Sequence, residues 1–257
     1  MIRQSRAALA ACLLMGLMVA GCAAPPNGGR DELGVIEPWD PLENVNRVTF
    51  DANMWLNDNA VGPAARAYRW VTPEYVQVRL RNGIGNLNEP MIFGNDLAQA
   101  RVKAAFTTFW RFIFNSTIGL GGLYDVATDM GLPRQTGDVG QTLYAWGVRE
   151  SPYLVLPLLG PSTLRDGAGV GVEMWADPMG RIFDANDGGD ANIPIAIVYG
   201  LDRARELETL DELKKGTIDF YAQLRSVWLQ NRQAALDEAI GATPTTSMPD
   251  IPDAPAH

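Results

Sequence analysis

Cysteine, histidine, basic charge and long apolar runs are all scarce in this 257-residue chain, and each scarcity excludes a class of function. The only histidine is His257, the last residue, so Ser-His-Asp and Cys-His catalysis have no base within a folded body and histidine-ligated zinc has no ligand set. The two cysteines are Cys12 and Cys22, both near the start, and a chain cut before Cys22 holds no thiol pair for a disulfide. Lys and Arg number 21 against 30 Asp and Glu, a net charge of −9. Residues 1–21 contain Arg3 and Arg6 and no acid, so their removal takes the charge to −11. That balance argues against nucleic acid as a partner and against simple electrostatic docking on anionic lipid. Asp96, Asp125, Asp166 and Asp177 are dispersed, without calcium-loop spacing.

What is present begins at the first residues. Arg3 and Arg6 precede an uncharged run from Ala7 to Gly21 that ends in small residues, the order of a secretory signal peptide. The run is shorter than the ~20 apolar residues of a membrane span. Val19-Ala20-Gly21-Cys22 resembles the bacterial lipobox, in which cleavage before the cysteine leaves a thiol that carries diacylglycerol. Cys22 is then the lipidation site, with a diacylglycerol and an N-acyl chain as the only non-peptide groups expected and no cofactor. Several acyl chains anchor essentially permanently where one binds only marginally. Ala23 and Ala24 lack the aspartate that resembles an inner-membrane retention signal, so the expected site is the periplasmic leaflet of the outer membrane.

The expected organisation is a signal peptide over 1–21, a Pro/Gly-rich tether over 22–38, a helical domain over 39–240 and a Pro/Thr/Asp-rich disordered tail over 241–257. Asp40-Pro41-Leu42-Glu43 predicts a capped helix start, followed by an apolar face of Leu42, Val45, Thr49, Ala52 and Leu56, widened by Phe50, Met54 and Trp55. Thr72-Pro73-Glu74 opens a second helix, and Asn88-Glu89-Pro90 marks the start of a third. Residues 101–131 read as helix, glycine-rich break, helix, and Val139 to Val148 as another short helix. Pro152, Pro157 and Pro161 bar both a regular helix and a central strand from residues 151–164. Ile193 to Tyr199 is a further greasy piece, and from Leu201 to about Ala239 amphipathic helices place Phe220, Leu224, Val227 and Trp228 on one side. The fold class is all-α.

Several uncharged stretches of ~10–14 residues suit either buried core helices or interfacial segments. Of Trp55, Trp70, Trp110 and Trp146, at least half are expected in the core rather than in an interfacial belt. Gly119, Gly121 and Gly122 lack the Lys-Ser/Thr of a phosphate loop and do not follow a strand, so a helix break explains them better. Glu150-Ser151 is similar to the Glu-Ser dipeptide of lytic transglycosylases, where one glutamate serves as acid and base, but the Gly-Leu-Met-Gln-like segment expected downstream is absent. No enzyme is expected.

One family accounts for many of these segments together. Asp40-Pro41-Leu42-Glu43 with Asn46-Arg47, Asn86-Leu87 with Glu89-Pro90, Asn95-Asp96-Leu97, Arg111-Phe112 with Asn115-Ser116-Thr117, Gly140-Gln141-Thr142-Leu143 with Trp146-Gly147-Val148, and "PYLVLPLLGPSTLRDG" from Pro152 to Gly167 resemble the VacJ or MlaA phospholipid-binding lipoproteins, in order, from about residue 38 to 232. Where the family pattern has Gly-x-Gly before Pro-Tyr this chain has Arg149-Glu150-Ser151, so a glycine hinge is not carried over there. The resemblance implies a ring-like body of short broken amphipathic helices lying in the membrane. It implies an amphipathic channel that takes mislocalised phospholipid from the outer leaflet, a trimeric porin as companion, an MlaC-like soluble periplasmic carrier as recipient, and behind it an inner-membrane ABC transporter. Arg165 and Asp166 are candidates for the polar side of that path, the alternative being a surface ion pair. Gly147, Tyr153 and Leu154 are candidates for its shaping loop, the alternative being ordinary packing. The rival reading is a structural lipoprotein that buttresses a porin and moves nothing.

Overall fold

The computed structural model describes residues 39–176, 214 and 217–242. The signal peptide, Cys22, the tether, Asp177, the greasy piece 193–199 and His257 lie outside the described residues. Helix α1 (Glu43–Leu56) passes through a single π-helical turn, Asn57–Val61, into α2 (Gly62–Val71). After Pro73 comes α3 (Glu74–Ala98), then α4 (Val102–Thr117), the one-turn α5 (Val126–Asp129) and α6 (Val139–Ala145). A β-hairpin, β1 (Tyr153–Leu156) and β2 (Gly160–Thr163), leads into α7 (Leu164–Ala176), and α8 (Phe220–Ala239) follows. Among the described residues the fold is helical, as expected, with one small two-stranded hairpin beside the helices. Among the described residues no helix is long and apolar enough to cross a membrane.

Three local expectations are revised, each by a tertiary contact. Asp40 does not cap α1, whose N-cap is Leu42 with no side-chain bond. Instead its carboxylate accepts from Asn46 Nδ2 (2.7 Å), Arg225 NH1 (2.6 Å) and the Tyr221 hydroxyl, since charge-assisted bonds outweigh a neutral cap. No helix starts at Asn88-Glu89-Pro90, because α3 runs straight through Pro90. An interior proline costs ~3 kcal/mol or more, and here side chains on both sides of it are tied down, Glu89 to Arg111 and Asn95 to Thr142. The expected apolar face of α1 is split: Phe50 is buried beside Asn46 and Met54 packs on the core, while Leu42, Val45 and Trp55 are exposed.

The hairpin is compatible with its prolines because it has only two strands. Pro157 stands in the turn and Pro161 pairs with Val155 in the register Tyr153↔Thr163 to Leu156↔Gly160. The outer edge of β1 is then covered by helix side chains rather than by a third strand. Asn46 donates to the Tyr153 carbonyl (3.1 Å) and accepts from the Val155 N–H (2.9 Å), and Asn53 does the same for the Leu156 carbonyl (2.9 Å) and the Leu158 N–H (2.8 Å). Seven residues are two helical turns, so both amides fall on one face of α1. Replacing Asn46 with Leu strands two buried backbone groups at ~1–3 kcal/mol each, and the expected loss is ~2–4 kcal/mol in thermal melts of the micellar protein.

Under the hairpin lies a small apolar cluster of Phe50, Tyr153, Val155 and Tyr221, against which Met54, Phe220, Leu224, Trp228 and Leu229 pack. Val227, expected on that side of α8, is exposed. The start of α8 is fixed by Asp219, which accepts from Ala222 N–H (3.1 Å) and from Arg47 on α1 (2.6 and 3.1 Å). The bonds from Arg47 and then from Ala222 bring the Asp219 carboxyl down to about 2. A depressed acid contributes stability that is present above its unfolded value of ~3.9 and lost as pH falls through the folded value. Protection of the first-turn amides of α8, measured against an unstructured peptide at the same pH, is therefore expected to hold above pH ~4 and to decline steadily as pH falls from there to about 2. Asp219→Asn should abolish that dependence.

Candidate functional site

Burial in this molecule runs opposite to the usual order. The side chains that α3 buries are Gln77, Asn86, Glu89, Asn95 and Asp96, all polar. On α4 the inward positions are Ala104, Ala105, Thr108, Arg111 and Asn115, while Val102, Phe106 and Phe109 face out. Among the described residues, sixteen polar or charged side chains are buried against twelve apolar ones, six of the latter being alanine. Of the four tryptophans weighed from sequence, Trp55, Trp70 and Trp146 are 64%, 88% and 67% exposed, which corrects the expectation that at least half are core. In water each such side chain forgoes ~1.5–3 kcal/mol of burial, and apolar exposure on this scale marks a surface that meets something other than solvent.

The polar interior is organised around arginines. Arg111, 1% exposed, donates to Glu89 (2.9 Å), Thr128 Oγ1 (3.0 Å), the Leu132 carbonyl (2.5 Å) and both oxygens of Asp125 (3.0 and 3.1 Å). Burial opposes ionisation of Asp125, but bonds from Thr128 and Asn115 and the charges of Arg111 and Arg134 prevail and hold its carboxyl well below the usual range. Burial pushes Glu89 up, and its bond to Arg111 only partly offsets this. Among the described residues several buried acceptors have no hydrogen-bond partner: Asn86 Oδ1, Glu89 Oε2, Gln99 Oε1 and Gln141 Oε1. Buried polar atoms of that kind call for water or a polar ligand.

The second arginine centre contains two predicted residues. Arg165 and Asp166 form a buried pair (Nε to Oδ1, 3.1 Å), so the surface ion-pair alternative is excluded. Arg232 on α8 bridges Asp166 (2.7 and 3.0 Å) and Asp138 (2.6 and 2.8 Å), the acid that caps α6 at Gln141 N–H. Burial raises the Asp166 carboxyl, yet the Arg232 bond and the charges of Arg165 and Arg232 win and hold it low. Gly140 makes this junction possible, since a Cβ there would lie 2.2 Å from Asp166 Oδ1 and 2.6 Å from Arg232 NH2.

Arg165 also reaches the loop after α6. Gly147 turns the chain there with φ +106°, and Arg165 NH1 donates to the carbonyls of Val148 and Arg149 (3.3 Å each) while its backbone N–H donates to Ser151 Oγ (2.8 Å). Gly147, Arg165 and Asp166 thus belong to one assembly. Tyr153 and Leu154 do not join it directly: Tyr153, 1% exposed, packs edge-on against Tyr221 and Trp228, and Leu154 is half-buried opposite Ser162. Sequence reasoning missed Arg111, Arg232 and Asp138. The stripe Ala104, Thr108, Arg111, Asn115, at helical spacing, was the legible signal for the first.

Two other candidates are resolved by geometry. The N–H groups of Gly119, Gly121 and Gly122 bond to the carbonyls of Phe114, Ser116 and Asn115, so they do not form a phosphate cradle, and Gly122 packs so closely that a Cβ would lie 2.3 Å from Asn86 Cβ. Glu150 is exposed and lacks the buried apolar setting that a lone acid/base glutamate needs. Among the described residues no cluster of three or more His, Cys, Asp or Glu could hold a metal.

Comparison with known proteins gives consistent matches. The model of the family described as "MlaA lipoprotein" matches residues 38–235. A Haemophilus influenzae protein named "Intermembrane phospholipid transport system lipoprotein MlaA" is 31% identical over 247 residues, covering 93% of this chain and 94% of its own. The Escherichia coli K12 protein of the same name is 36% identical over 166 residues, 63% of each chain. An uncharacterized protein of Rickettsia felis is 34% identical over 210 residues, 82% of this chain and 83% of its own. A solved structure from work on the "Structural basis for maintenance of bacterial outer membrane lipid asymmetry" superposes with a TM-score of 0.65 at 29% identity, covering 77% of this chain and 98% of its own.

Proposed function

The chain belongs to the MlaA lipoprotein family, and from that premise we propose that it maintains outer-membrane lipid asymmetry by removing mislocalised phospholipid from the outer leaflet. The Haemophilus influenzae and Escherichia coli relatives are named as transport lipoproteins, and nothing in this reading needs covalent chemistry. The observation that carries it is the inverted burial: helices such as α4 turn aromatic side chains outward and Arg111, Thr108 and Asn115 inward. A body of that kind is at home lying in the acyl region, where apolar surface is not penalised and polar groups must face protein or a wet cavity. Cys22 supplies the acyl anchor to the periplasmic leaflet.

In this account the headgroup travels past the polar interior while the acyl tails stay in hydrocarbon. The unpartnered buried acceptors of Asn86, Glu89 and Gln141 suit passing water and headgroup donors. Arg165, locked to Asp166 and to the backbone after Gly147, holds the rim of the path, and the hairpin of Tyr153 and Leu154 supports it from behind. A trimeric porin would brace the body in the membrane. A soluble periplasmic carrier would receive the lipid and pass it to an inner-membrane ABC transporter.

The test is surface labelling of outer-leaflet phospholipid in intact cells of wild type, a deletion strain, and the deletion strain complemented with wild-type protein or with Cys22→Ala. Accumulation in the deletion, relieved by wild type and not by Cys22→Ala, is expected. No accumulation would favour the porin-buttress reading and overturn this one.

A further inference from the structure

A cation stands apart from both arginine centres, at the opposite end of α3 from Asn95 and Asp96. Arg47, Arg111, Arg225 and Arg232 each answer carboxylates. Among the described residues Arg79 answers none: its guanidinium lies over two tyrosine rings, 4.6 Å from the Tyr75 centroid and 4.1 Å from the Tyr124 centroid. Its NH1 donates a long hydrogen bond to the Leu123 carbonyl at 3.4 Å. The two tyrosine hydroxyls meet at 2.6 Å on an exposed surface, so one of them keeps a proton to donate elsewhere. Trp70, Val71, Val76, Leu120 and Leu123 are exposed beside these residues in the chain. The glycine-rich turn has a role here that its backbone does not fill, since Gly119 to Gly122 carry the chain across α3 and deliver Tyr124 to Arg79.

We infer that Tyr75, Arg79 and Tyr124 form a docking site for the phosphodiester headgroup of a membrane lipid, separate from the polar interior. A planar guanidinium presents paired N–H donors that match two phosphoryl oxygens, and its contact with both rings restrains the side chain before the ligand arrives. The phenol supplies a further donor beside it. The apolar side chains alongside suit the glycerol and first methylenes of a lipid and offer nothing to a small hydrated anion. In a chain whose expected mature charge is −11, a cation that no described carboxylate answers is placed for an anion from outside. The inference rests on the lipid-handling reading for the nature of its ligand only; no transport step is needed for binding.

The test is calorimetric titration of the full lipidated protein in dodecyl maltoside micelles with dihexanoyl phosphatidylglycerol, and separately with inorganic phosphate. Arg79→Gln is expected to remove one class of bound lipid or weaken it at least ~10-fold, and Arg79→Lys, which keeps the charge without the plane, to weaken it less. Tyr75→Phe combined with Tyr124→Phe keeps both rings and is expected to weaken binding ~3-fold, so the site remains testable if the arginine variant folds poorly. Binding by Arg79→Gln and by the double phenylalanine variant within twofold of wild type would overturn the site. Inorganic phosphate binding as tightly as the lipid would overturn the lipid as its occupant. Failure of the transport reading would show instead in outer-leaflet labelling of cells with Arg79 intact.

Discussion

Arg111→Met should be the most destabilising single substitution in the described body, by ~3–5 kcal/mol. The side chain is fully enclosed and serves Glu89, Asp125, Thr128 and the Leu132 carbonyl together. Methionine fills much of the volume but leaves the buried Glu89 carboxylate without its cation and Asp125 with only the half-exposed Arg134, and breaking a buried pair from one side costs that much because the remaining charge is uncompensated. For a body of this size each kcal/mol moves the midpoint by ~2–4 °C, so a fall of roughly 6–20 °C is expected in thermal melts of the micellar protein. Adding Glu89→Gln and Asp125→Asn to Arg111→Met should recover a large part of the loss, because neutral amides no longer demand the cation. A drop below ~1 kcal/mol for Arg111→Met alone would mean that water already solvates this centre.

Phe106→Glu should abolish function while Phe106→Leu leaves it nearly intact. Phe106 is 63% exposed on α4, and on a water-facing surface a charge there would change stability by ~0.5 kcal/mol or less. Against acyl chains a carboxylate costs up to ~3 kcal/mol. Residue 106 is also remote from the Arg165–Asp166 pair in the chain, so loss of function would come from expulsion of the α4 face from the bilayer rather than from damage to the path. The readout is outer-leaflet phospholipid in cells complemented with each variant, together with melting in nanodiscs. Equal behaviour of the glutamate and leucine variants would place that face in water.

Local signals in the chain were legible where local chemistry decides. Thr72-Pro73-Glu74 does open α3, the chain does break into a glycine turn after Thr117, and Val139 does begin a short helix capped by Asp138. Illegible features were those decided by partners far away in sequence. Asp40 abandons its cap for Arg225, 185 residues on, and α3 tolerates Pro90 because Arg111 holds Glu89. The hairpin was hidden because β1 pairs on its outer edge with asparagine side chains of α1, which no strand pattern records. The most instructive error is the face of α1. Apolar periodicity finds the stripe of Leu42, Val45 and Trp55 correctly, but equating that stripe with the inside assumes water outside, and here the stripe is exposed.

The same assumption governed the candidate site. Arg165 and Asp166 entered through the family resemblance alone, and their connection to Arg232 and Asp138, 66 and 94 residues away from Arg232, has no signature in local sequence. Had α4 been read as a helix with a polar interior, the stripe of Thr108, Arg111 and Asn115 would have pointed to Arg111 directly.

The inverted body is tested most directly by spin-label depth. With Cys12 in the expected signal peptide and Cys22 the proposed lipidation site, an introduced cysteine is the sole free thiol expected, so Phe106→Cys, Trp146→Cys and Trp175→Cys can each carry one nitroxide. In nanodiscs, relaxation of these labels should respond strongly to dissolved oxygen, which concentrates in hydrocarbon, and weakly to a water-soluble nickel chelate. Nickel accessibility at all three equal to that of a free label in water would put the apolar exterior in solvent, and the account of a lipid-embedded, polar-cored lipid carrier would fail.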